Sequence, residues 1–144
     1  MEPIWVLVAD GARARLFSAE RPRGALVEHS EYANPSDRQH ERDLVSDAPG
    51  RGNKAADGSR YAMEEPDAKK EMARRFARDL AEILRKGRIN RKYARLYLVA
   101  PPAFLGVLRE TLDDVTADHV VESFAKDFVQ ETPEAIRRHL PYRL

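Results

Sequence analysis

The apolar positions fall into runs of distinct period. Ile4-Trp5-Val6-Leu7-Val8-Ala9 is continuous, aromatic and β-branched, as a strand covered on both faces requires, and Ala94 to Ala100 repeats the pattern. Arg13-Ala14-Arg15-Leu16 alternates with period two, which sets Arg13 and Arg15 on one face. Asp10-Gly11, just before it, suits the positive φ angles of a tight hairpin. Leu26 to Tyr32 reads as a third, more exposed strand, and His119 to Phe124 as a strand near the C-terminus. The strands are thus expected near 4–9, 13–18, 26–32, 95–100 and 119–124.

Helical period is clearest in Met72, Phe76, Leu80, Ile83 and Leu84, with Ala73, Ala77 and Ala81 alongside, between Pro66 and Gly87. This predicts an amphipathic helix over about 67–86, reaching about 30 Å at 1.5 Å per residue. Met72, Phe76, Leu80 and Leu84 are its expected buried stripe. Phe104, Leu105, Leu108 and Leu112 after Pro101-Pro102 predict a second helix. Thr132-Pro133-Glu134 opens a short third one: an N-cap, a first-turn proline, and an acid at the positive end of the dipole. Strands followed by helices imply an α/β fold with a mixed β-sheet and packed helices.

Between Asn34 and Glu65 no core-facing period is present, although Ser36 and Gln39 are spaced as a capping box leading towards Leu44. A loop is expected at about 46–65. A segment of this kind, roughly 30 residues in a compact domain, is uncommon unless it is functional or disordered.

Composition narrows the classes. A chain of 144 residues is about one domain long, so residues 1–144 are expected to form one. With 42% hydrophobic and 34% charged residues it is neither a disordered nor a membrane chain by composition, and a net charge of +1 points to no partner. The absence of cysteine excludes disulfides, thiolate zinc ligands and a cysteine nucleophile. The apolar run at Ile4 is too short for a membrane span or a secretory core, and Glu2 stands where a signal peptide would be basic. A cytoplasmic location is expected.

The distribution of charge says more than its sum. Residues 69 to 95 hold eleven Lys or Arg against three acids, whereas 110 to 134 hold eight acids and only Lys126. A basic helix with Arg74, Arg78 and Arg85 on it, and the exit Arg85-Lys86-Gly87-Arg88, could meet a phosphate backbone. Its bland counterpart is a solvated face that balances the acidic segment. Aromatic residues do not interleave with these cations in sequence, so base stacking is not indicated.

Other motifs fail on context. Gly50-Arg51-Gly52-Asn53-Lys54-Ala55 matches G-x-G-x-x-A but does not join a first strand to a helix, and no P-loop lysine precedes Ser59. His29, His40, His119 and His139 lack the i, i+4 spacing of a helical zinc site, so no metal or other cofactor is expected. Asp10 could anchor a divalent ion in a metal-dependent nucleic-acid hydrolase; next to Gly11 it is more simply a turn residue.

Three segments together resemble the bacterial host attachment protein family, whose name means "required for attachment to host cells": "WVLVADGARARLF", "DAPGRGNKAADGSRYAMEEPDAKKEMARRFARDLAEIL" and "LYLVAPPAFLGVLRETL". That family is similar to the middle domain of archaeal and eukaryotic class-1 peptide-chain release factors, which implies a ribonuclease H-like topology. It also implies an RNA partner, ribosome or tRNA. In those factors a loop before a long helix carries Gly-Arg-Gly-Gly-Gln, and Gly50, Arg51 and Gly52 match its start. Asn53 replaces the second glycine and Lys54 the glutamine. Asn tolerates left-handed backbone angles, but a lysine presents a point charge and no amide. The resemblance, taken with the loop's cations and the basic helix, points to RNA binding through Gly50, Arg51, Gly52, Asn53, Lys54, Arg60, Arg74, Arg78 and Arg85, without peptide release. Its alternative is a non-enzymatic part, direct or indirect, in attachment to host cells.

Overall fold

The computed structural model describes residues 3–35 and 58–144, with the side chains of 58–66 excepted. Five strands, β1 (Ile4–Ala9), β2 (Arg13–Ala19), β3 (Val27–Ala33), β4 (Arg95–Ala100) and β5 (Val120–Ala125), form one mixed sheet in the order β3-β2-β1-β4-β5. Each lies within one residue of its expected bounds. The continuous apolar runs became the centre of the sheet: β1 pairs antiparallel with β2 and parallel with β4. β3 is exposed along most of its length, as its mixed composition suggested, and lies at one edge of the sheet.

The pleat divides the apolar residues into two cores, as period two demands. Leu7, Ala9, Leu16, Leu96 and Leu98 face a helical layer, while Ile4, Val6, Val8, Phe17, Tyr97 and Val99 face the C-terminal segment. The first layer is α1 (Gly58–Ile89) with α2 (Pro102–Thr111). The short α3 (Asp114–Asp118) follows α2 in the chain. The second layer is made by Val129, Ile136, Leu140 and Leu144, which include α4 (Pro133–His139). Phe76, Leu80 and Leu84 of the expected stripe are buried, each contributing roughly 1.5–3 kcal/mol. Met72 is only half-buried, because the helix is leaving the sheet there and Asp67 to Lys70 are all exposed.

α1 begins nine residues before the expected start, so Pro66 lies within the helix rather than at its opening. Proline has no N–H for the carbonyl four residues back, yet the Arg, Ala, Met and Glu residues before it favour helix, and the helix runs through. Its C-terminus closes by a Schellman pattern: Lys92 N donates to Gly87 O at 2.8 Å and Arg91 N to Arg88 O at 3.0 Å. Arg91 occupies the left-handed position, φ 56°, where glycine is usual.

The β1–β2 hairpin differs from expectation. Among the described residues no glycine has a positive φ; instead the Asp10 carboxylate shapes the turn by accepting from Ala12 N at 2.8 Å and Arg13 N at 2.7 Å. Asn34, 2% exposed, then ties this turn to the helix, donating from Nδ2 to Gly11 O at 2.9 Å and to Met72 O at 3.3 Å. On the opposite side, Arg15 makes a two-point contact with Glu28 and donates to Val129 O at 2.9 Å, fastening the C-terminal segment to the sheet. The hydrogen bond from Arg15 holds the Glu28 carboxyl below its ordinary pKa.

The sequence pattern does not announce α3. It is capped by Asp113, which accepts from Thr116 N at 3.2 Å, and its five residues carry no apolar stripe.

Candidate functional site

The expected interface has two parts, of which the structure describes one. Gly50, Arg51, Gly52, Asn53 and Lys54 lie outside the described residues, as do His40 and the capping-box positions Ser36 and Gln39. Arg60 falls in the first turn of α1, but its side chain too lies outside them.

The outer surface of α1 is described from Asp67 onwards. At about 100° per residue, Arg78 and Arg85 lie within roughly 40° of Arg74 around the axis, so the three share a face. Their surroundings differ. Arg74, Arg75 and Arg78 gather on a single carboxylate, Glu71, at 3.9, 3.5 and 3.4 Å, with side chains 57%, 62% and 58% exposed. Three guanidinium groups against one carboxylate leave a net excess of positive charge in solvent. Exposed pairs of this sort are worth about 0–1 kcal/mol, so the arginines can exchange Glu71 for another anion at small cost.

Arg85 is differently placed. Its Nε and Nη2 donate to the two oxygens of Glu82 at 3.0 and 2.8 Å, a fork-to-fork pair that raises the guanidinium pKa and lowers that of the carboxyl. Further along, Arg88 donates from Nε to Thr116 Oγ1 at 3.0 Å and lies 3.7 Å from Asp113. That contact joins the basic helix to the acidic stretch, as the charge-balance reading requires. Arg95 is part-buried in the sheet, with Nη2 3.3 Å from the Tyr97 hydroxyl. Arg85 and Arg88 are thus held by partners within the domain, and the exposed guanidinium cluster on this helix is Arg74, Arg75 and Arg78. Arg75 falls off the single helical line drawn through Arg74, Arg78 and Arg85; its signal in the sequence is the i, i+4 spacing from Glu71.

The remaining candidate chemistry is structural. Asp10 uses its carboxylate in the hairpin turn. His119 Nδ1 lies 3.0 Å from Ala94 O, His139 stacks on Phe128, and His29 Nε2 meets Ser18 Oγ at 2.6 Å. Among the described residues, no group of His, Asp or Glu side chains is arranged to hold a metal ion, and no helix is long and apolar enough to cross a membrane.

No curated protein matches the chain. Residues 5–140, nearly its whole length and every strand but the first residue of β1, match the family described as "Protein required for attachment to host cells", and the chain belongs to that family.

Proposed function

We propose that the protein is a cytoplasmic RNA-binding domain, associated with ribosomes or tRNA, that grips phosphate through the outer face of α1 together with the 46–65 segment and does not hydrolyse peptidyl-tRNA. The observation that carries the reading is the convergence of Arg74, Arg75 and Arg78 on one carboxylate, Glu71, among the described residues. A phosphate backbone offers each of them a charge-assisted, two-point acceptor and releases condensed counterions. The strand order supports a ribonuclease H-like, release-factor-like topology, though fold likeness does not itself fix function.

The test is the salt dependence of RNA binding. Reversing Arg74, Arg75 and Arg78 to Glu should lower the log-log slope by roughly 0.7–1 per lost phosphate contact. Since all three side chains are exposed, circular dichroism should be unchanged. An unaltered slope would leave these arginines as a solvated face. Peptide release above the uncatalysed rate on programmed ribosomes would overturn the non-catalytic part.

Family membership favours a second reading, a non-enzymatic role in attachment to host cells. The two separate cleanly: if the charge-reversed chain restores attachment to cells lacking the protein, attachment does not run through the arginine face.

A further inference from the structure

At the opposite end of α1 lies a cleft of about 490 Å³, within the roughly 300–1,000 Å³ range of small-molecule sites. It is lined by Trp5 of β1, Ser18 near the end of β2 and Glu20 just beyond it, His29 of β3, and Asn90 and Lys92 beyond α1. None of these belongs to the arginine face, so a ligand here does not depend on RNA binding there.

We propose that this cleft binds a single nucleotide unit, with its base against Trp5, its ribose hydroxyls on Glu20 and its phosphate on Lys92. The aromatic platform is already set. Tyr93 stacks against the indole at 4.8 Å with an interplanar angle of 29°, and the Tyr93 hydroxyl is anchored by donating to Leu84 O at 2.6 Å. Trp5 lines the cleft and Tyr93 does not, so the indole surface left over by the stack is what a ligand meets. Gly87, also on the cleft wall, lets the helix backbone approach Cζ3 and Cη2 of the ring, where a Cβ would clash. A base laid on a ring that is already held loses little conformational freedom.

The polar groups are of the right kinds and are not otherwise engaged. Among the described residues, the Glu20 carboxylate, the Lys92 ammonium and the Asn90 amide have no hydrogen-bond or ion-pair partner. A carboxylate accepts from the vicinal hydroxyls of ribose, as it does in dinucleotide sites. The ammonium is a point-charge partner for phosphate. The Ser18–His29 pair, joined at 2.6 Å, adds a donor and an acceptor at the mouth of the cleft. The negative end of α1 does not oppose an anion strongly, because the carbonyls of Lys86, Gly87 and Arg88 already accept from Asn90, Lys92 and Arg91. A neutral sugar would use the aromatic surface and the carboxylate but leave Lys92 without a role; a nucleotide uses all three.

Trp5 is the one tryptophan of the chain and so reports directly on the cleft. Titration with adenosine 5′-monophosphate should quench its fluorescence saturably. Adenosine, lacking the phosphate, and the Lys92→Ala and Glu20→Ala variants with the full nucleotide, should each bind about tenfold more weakly, as expected for loss of one charge-assisted contact. Glu20 and Lys92 are exposed, so both variants should fold like the parent. The Arg74, Arg75, Arg78 reversal should leave nucleotide affinity unchanged, and Lys92→Ala should leave the RNA salt slope intact, which keeps the two sites distinguishable. Absence of saturable quenching at millimolar nucleotide, or equal quenching by a neutral monosaccharide, would overturn the proposal.

Discussion

Replacing Gly87 by alanine should destabilise the protein although the same change in an unhindered helix is favourable. Gly87 lies in the last turn of α1 and is buried. Alanine in a helix interior gains about 1 kcal/mol over glycine. Here its Cβ would stand 2.5 Å from Cζ3 and 2.6 Å from Cη2 of Trp5, and 3.2 Å from Cε1 of Tyr93. Carbon atoms pack best at about 3.5–4.0 Å, so the indole must retreat by roughly 1 Å. That movement disturbs its stack on Tyr93, worth about 0.5–1.5 kcal/mol, and adds the roughly 1–3 kcal/mol of an overpacked site. The net cost is about 0.5–3.5 kcal/mol. Urea unfolding followed by Trp5 fluorescence and far-ultraviolet circular dichroism should show a midpoint lowered by roughly 0.3–1.7 M at an m-value of about 2 kcal/mol/M. Gly106→Ala in α2 is the control, since nothing lies within 4 Å of its new Cβ, and it should raise stability by up to about 1 kcal/mol. A Gly87→Ala midpoint at or above the parent's, with Gly106→Ala behaving as stated, would refute the close approach of α1 to Trp5.

Three other residues give outcomes that rest on single contacts or a single backbone angle. Arg91→Gly should stabilise by roughly 0.5 kcal/mol, the relief of a left-handed non-glycine residue less the greater backbone entropy of glycine when unfolded; a lowered melting temperature would contradict it. Asn34→Ala should cost about 2 kcal/mol in urea unfolding, because the carbonyls of Gly11 and Met72 lose a buried donor, and a neutral result would mean that water replaces it. Burial pushes the Tyr93 hydroxyl up to about 12 from its ordinary value of about 10. The neutral form is thus favoured by folding, so this contribution is fully present below pH of about 10 and lost as pH rises towards 12. Tyr93→Phe should lack that alkaline loss when the two stability profiles are compared, and parallel profiles would show the hydroxyl to be solvated.

The strands were legible because β1 and β4 carry apolar residues at nearly every position, which only a strand covered on both faces tolerates, and β3 does not. The start of α1 was not, since a proline followed by a helical stripe carries the same local signal whether it opens the helix or lies within it. Asn34 could not have been singled out either. Its partners Gly11 and Met72 are 23 and 38 residues away, and an asparagine before a proline reads locally as a turn. What escaped for Asn34 was a pair of contacts set by the tertiary arrangement.

The two candidate sites divide along the same line. The arginine face is a property of one helix, so its period is written in the sequence, and even the neutralisation of Arg85 is local, by Glu82 three residues before it. The loss of Arg88 to Asp113 is not, because it depends on where α3 packs. The cleft is wholly non-local: no aromatic residue interleaves with the basic exit of α1, which in sequence argued against base stacking. Yet β1 and β4 are parallel neighbours, so the helix between them must run back across the sheet and end beside the residues where β1 begins. The antiparallel hairpin returns β2 to the same edge, with Ala19 opposite Ile4. Trp5, Ser18, Glu20 and Lys92 therefore meet because of strand direction, and Lys92, followed in sequence by Tyr93, is brought beside the distant Trp5 ring by the topology.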